Sequence, residues 1–189
     1  MSQKRYRSST FVAMTMIGVG LVMLGLLSFV YLGSSNSQTA AESDFSTTPV
    51  EVNYAAPDLQ LRDINGSAVS LEIYRGNVAL VNLWATWCPP CKAEMPTLQS
   101  FYEEYKDTGF VVIAIDNGET VDLVKPFIDK YGLPFPVWLD EGNVTGKAFG
   151  TISLPSSWVI DRAGTVRLSW VGEISSQALE KYVHPIILE

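Results

Sequence analysis

Residues 78–94 read VALVNLWATWCPPCKAE and hold both cysteines of the 189-residue chain. Val78, Ala79, Leu80, Val81, Leu83 and Trp84 form an almost unbroken apolar run of strand length, the pattern of a central strand buried on both faces. The run stops at Cys88. Pro89 and Pro90 cannot continue a ladder, but their fixed φ suits the first turn of a helix. Strand, cysteine, helix is the expected order. A thiol at a helix N-terminus faces unpaired N–H groups and the positive end of the dipole, both of which favour thiolate, so Cys88 is the expected nucleophile. Cys91 lies about one turn further on and deeper, with its sulfur able to reach back to Cys88.

A Cys-x-x-Cys pair in this position suits reversible dithiol–disulfide exchange. Zinc requires four ligands, or three and a water, and the chain offers two cysteines and one histidine, His184, close to the far end, so no metal is expected. A purely structural bridge would gain little from closing so short a loop. The segment WATWCPPC resembles the W-x-x-W-C-x-x-C signature of the thioredoxin superfamily.

The chain before this segment has a different character. Residues 11–32 are uncharged and mostly apolar, and as a helix they would span about 33 Å against roughly 30 Å of hydrocarbon. A single transmembrane helix is therefore expected. Lys4, Arg5 and Arg7 precede it and no basic residue follows until Arg62, so residues 1–10 are expected in the cytoplasm and everything after Leu32 outside. A cleaved signal peptide is the rival, but its apolar core is usually 7–15 residues and no clear A-x-A site follows. Residues 33–50, rich in Ser, Thr, Asn, Gln and Ala, are expected to be a flexible linker, and residues 51–189 the globular domain. From Glu42 onward the chain carries ten basic and twenty acidic residues, a net of −10, which disfavours nucleic acid and anionic membrane surfaces as partners.

Within that domain, Asn65-Gly66 between two alternating segments predicts a β-hairpin ahead of the Val78 strand. The helix opened at Cys88 runs to about Asp107, with Pro96 expected to kink it and Gly109 to stop it. A strand over 110–115, a helix over Glu119–Tyr131 and a short strand around Val137 follow. Asn143 is a candidate cap for a helical turn over Val144–Phe149. A hairpin turns about Arg162-Ala163-Gly164, and Ser175–Val183 closes the chain as a helix. This α/β order, with a central mixed sheet flanked by helices and an N-terminal hairpin, is similar to the elaborated thioredoxin fold of the TlpA/ResA/CcmG-like membrane-anchored thiol–disulfide oxidoreductases.

That resemblance implies several site roles. Leu154-Pro155 matches the family's cis-proline loop, in which the backbone before the proline pairs with the substrate chain, although an ordinary trans proline is commoner on base rates. Asn82 stands where cytoplasmic thioredoxins have a buried Asp. Glu94, at i+3 from Cys91, resembles the acid that handles the resolving thiol's proton, while a solvated charge near the helix start is the alternative. Trp84 and Trp87 would pack around and shield the disulfide, with Trp87 on the substrate side, or serve simply as core. No role falls to His184.

The implied enzyme is a membrane-anchored extracytoplasmic thiol–disulfide oxidoreductase, in which Cys88 attacks and Cys91 resolves. By resemblance it reduces protein disulfides, possible substrates being apocytochrome c cysteines in cytochrome c biogenesis, with a membrane thiol-electron transporter as donor and no cofactor. A copper metallochaperone on the same fold would want C-x-x-x-C and a downstream loop histidine. A thiol peroxidase would want a lone thiolate after Thr-x-x with an Arg partner.

Overall fold

The computed structural model describes residues 48–189, together with Met23. The expected membrane span and nearly all of the expected linker thus lie outside the described residues. Among the described residues no helix is long and apolar enough to cross a membrane.

Eight strands form one sheet in the order β1-β8-β7-β4-β5-β6-β2-β3. They are β1 (Val50–Ala55), β2 (Gln60–Asp63), β3 (Ala68–Ser70), β4 (Val78–Trp84), β5 (Phe110–Asp116), β6 (Val137–Leu139), β7 (Ser156–Ile160) and β8 (Thr165–Val171). All residues of β4 and β5 are buried, as their apolar runs require, and the two strands pair in parallel from Val78↔Phe110 to Trp84↔Asp116. On its other side β4 pairs antiparallel with β7. Alternate residues of β4 therefore enter two apolar layers. Val78, Leu80 and Trp84 face helices α1 (Pro89–Tyr105) and α2 (Val121–Tyr131), whereas Ala79, Val81 and Leu83 join Leu59, Trp138 and Trp158 on the opposite face. Asn82 shares the α1 face by the same alternation.

The hairpin forms where expected, with Gly66 at φ +81° and Asp63 Oδ1 accepting the N–H groups of Asn65 and Ser67. It extends the sheet beyond β6 through pairing of β2 with β6. It is not the first element, however. Strand β1 precedes it, paired antiparallel with β8 at the other edge of the sheet. Val50, Val52 and Tyr54 alternate with Glu51 and Asn53, yet only Val52 is even half-buried, so pairing with β8 rather than a buried face holds the strand.

Helix α1 runs through Pro96 and passes into a 3₁₀ turn that ends at Gly109, φ +82°. The turn over Val144–Phe149 is a helix, α3, but Asn143 supplies no side-chain cap. The Asp140 carboxylate takes that role, accepting the N–H groups of Val144 (2.8 Å) and Thr145 (2.7 Å). The closing helix also differs from expectation. A short α4 (Ser176–Ala178) widens to π winding over Leu179–Val183 and ends in α5 (His184–Ile187). Pro185 has no N–H to donate to the Lys181 carbonyl, and the wider winding lies just ahead of it. His184 pairs with Glu180 at 3.6 Å and lies against the Tyr105 ring, an ordinary packing role.

Candidate active site

At the C-terminal end of β4 the chain turns through Ala85-Thr86-Trp87 and delivers Cys88 to the N-cap of α1 in extended conformation, φ −86° and ψ 110°, with prolines in the first turn. Cys88 and Cys91 form a disulfide with their Cα atoms 5.3 Å apart. The Cys91 N–H points at Cys88 Sγ from 3.3 Å, which is the donor that would stabilise a Cys88 thiolate. Cys88 is 3% exposed and Cys91 fully buried. Trp84 lies in the same apolar cluster as both cysteines and against Phe127, ring centroids 4.8 Å apart. Trp87 is not core. It lies in the turn after β4 and is 64% exposed, beside the nearly buried Cys88.

Glu94 sits on the inner face of α1 one turn beyond Cys91 and is 1% exposed, so it is not a solvated helix-end charge. Its Oε1 accepts from Asn82 Nδ2 at 2.8 Å and its Oε2 from the backbone N–H of Ile174 at 3.1 Å. Asn82 donates as well to Ser157 Oγ (2.9 Å), on β7. Burial pushes the Glu94 carboxyl up to about 8, and the bonds from Asn82 and Ile174 only partly oppose that rise. The group therefore holds a proton at neutral pH in the oxidised state. The Leu154–Pro155 peptide is cis, immediately before β7, whose Ser156 pairs with Leu83 of β4. Leu154 is half-buried and packs against both apolar layers.

Two further acids flank the turn, and sequence reasoning missed both. Asp116, fully buried, ends β5 beside Trp84. Glu119, expected as the first residue of a helix, instead precedes the Thr120 N-cap of α2 and bonds Thr86 through both oxygens. Burial, and next the neighbouring Glu119, push Asp116 up to about 8. Their partners lie tens of residues away in sequence, so no local pattern announces them. Among the described residues no group of three or more His, Cys, Asp or Glu side chains could hold a metal ion.

Comparison with known proteins follows the same lines. The family model described as the AhpC/TSA family matches residues 52–169. A thiol-disulfide oxidoreductase ResA of Bacillus thuringiensis subsp. konkukian is 38% identical over 137 residues, covering 72% of this chain and 79% of that protein. A protein of the same name from Geobacillus thermodenitrificans is 31% identical over 166 residues, covering 88% of this chain and 95% of its own. Among solved structures, a thiol:disulfide interchange protein of the thioredoxin family from Chlorobium tepidum superposes with a TM-score of 0.64 at 27% identity, covering 73% of this chain and 99% of that one.

Proposed function

We propose, since this chain belongs to the AhpC/TSA family and is a thioredoxin-fold thiol–disulfide oxidoreductase, that it works as a reductase of protein disulfides outside the cytoplasm, held to the membrane by residues 11–32. The buried Glu94 beyond Cys91 carries the proposal. In the reduced protein the Cys88 thiolate attacks a substrate disulfide, one substrate sulfur leaves, and a mixed disulfide forms. The Cys91 thiol then attacks Cys88 Sγ. Its proton passes to Glu94, the second substrate sulfur leaves as thiolate, and the substrate departs with two thiolates that take protons from water while the pair is oxidised. A carboxyl pushed up to about 8 keeps that proton in the disulfide state, and it can return it to Cys91 when a dithiol donor reduces the pair.

Charge near the pair supports the reducing direction. Strong oxidants of this class stabilise their reduced form through the thiolate. Here Glu94, which must be ionised in the reduced protein to accept the Cys91 proton, is a buried carboxylate one turn from the pair, which opposes a thiolate and favours a low potential. A membrane thiol-electron transporter is the proposed donor, and apocytochrome c cysteines are a candidate substrate. Equilibrating the full chain in thiol redox buffers tests the direction. A potential near thioredoxin's, about −270 mV, is expected, and one near about −120 mV would overturn a reducing role.

A further inference from the structure

We propose that Glu119 is a positioning residue for the redox pair: it fastens Thr86 so that Cys88 is presented at the N-terminus of α1. The turn between β4 and Cys88 is tied at each end. The Trp84 carbonyl accepts from Asn117 N–H at 2.8 Å, and the Cys88 carbonyl accepts from Lys92 N–H at 3.2 Å. Between them Ala85 is buried in the core and its carbonyl accepts the Cys88 N–H at 3.2 Å, but Trp87 is exposed and Thr86 only half-buried, so packing leaves the Thr86 peptide to be held some other way. Glu119 holds it. Its Oε2 accepts the Thr86 N–H at 2.5 Å and its Oε1 accepts Thr86 Oγ1 at 2.6 Å, so both polar groups of one residue are gripped by one carboxylate.

Glu119 is itself 8% exposed and anchored from behind, where its N–H donates to Asp116 Oδ1 at 2.9 Å. Asp116 Oδ2 is buried with no hydrogen-bond partner among the described residues, and burial raises the Asp116 pKa. Cys88 follows Thr86 by two residues, and the 3.3 Å contact from Cys91 N–H to its sulfur depends on where the turn places it. An unfastened turn would swing Cys88 off that donor and leave its thiol harder to ionise.

The assignment rests on Cys88 being the attacking sulfur. It is tested on the reduced full chain by iodoacetamide alkylation against pH, with the modified cysteine located by mass spectrometry. Thr86→Val removes one bond without changing charge and should slow Cys88 alkylation at pH 7 about fivefold, the effect of one ordinary hydrogen bond, by moving the thiol titration upward. Thr86→Ser should restore the wild-type curve. Glu119→Gln should also slow it, and the double variant should be no slower than the slower single. Superimposable curves for wild type and Thr86→Val would overturn the proposal, as would a Thr86→Ser as slow as Thr86→Val or independent, multiplying effects. A faster Cys88 in Glu119→Gln would show that Glu119 acts through its charge alone. Alkylation at Cys91 in the wild type would instead overturn the role given to Cys88.

Discussion

Glu94 shows at the scale of one residue how far spacing carries an inference. Its place one turn from Cys91 is legible from i+3, and Asn82 is conspicuous as the one polar residue in an apolar strand. That the two bond across the interior at 2.8 Å, with the Ile174 N–H on the other oxygen, depends on how β4, α1 and the segment after β8 pack. The buried carboxyl also leaves a thermodynamic trace. Its pKa rises from 4.5 to about 8 on folding, so the protonated form is favoured by the fold. The stability it contributes is complete below about pH 4.5 and is lost as pH rises through 8. Denaturant unfolding of the oxidised wild-type protein should therefore weaken between pH 5 and 8. Glu94→Gln should ease that slope by about 1.4 kcal/mol per pH unit, the value of one proton, while Asp116 supplies what slope remains. The same variant should lose at least about tenfold in exchange rate near pH 7, as a general acid–base participant does. An unchanged slope with unchanged turnover would leave Glu94 as a space-filling polar group.

Among the elements, those announced by their own residues appear as expected. The β4 and β5 runs, the Asn65-Gly66 hairpin and the Gly109 and Gly132 helix ends are of this kind. Others do not: β1, whose Val50, Val52 and Tyr54 alternate with polar residues inside a stretch read as linker, pairs at the edge that β8 offers, and α3 is capped by Asp140 from across the turn rather than by Asn143. The position of α3 matters to the site because of Gly146. A Cβ there would meet the Thr151 carbonyl oxygen at 2.8 Å, and the Thr151 N–H is bound back to the Gly146 carbonyl at 2.8 Å, so neither chain can yield. Helix propensity would favour alanine by about 1 kcal/mol, but overpacking against backbone costs roughly 1–3 kcal/mol. Gly146→Ala should lower stability by about 1 kcal/mol net in chemical denaturation. It should also raise KM for a protein disulfide more than it lowers kcat, since the displaced segment leads into Leu154-Pro155. A stabilised variant would show that α3 can shift freely.

For the whole molecule, composition and the apolar stretch over 11–32 predict how the domain is carried in the cell. If residues 11–32 span the membrane, the full chain should stay with membranes through alkaline carbonate extraction, and protease added outside should remove the domain; release into the soluble fraction would overturn the anchor. Which end of the sheet the chain enters was not legible in sequence, because it depends on β1. Strand β1 runs antiparallel to β8, β8 to β7 and β7 to β4, so β1 runs opposite to β4. Val50 stands beside Ser169, level through Trp158 with Val81, so β1 begins toward the end of the sheet where β4 hands over to Cys88. Three strand spacings, about 14 Å, separate β1 from β4 across the sheet. If residues 11–32 do hold the chain to a membrane, the domain is attached through a strand that begins toward the disulfide's end of the sheet, so the length of the attachment rather than the width of the domain would limit how far the sulfurs reach.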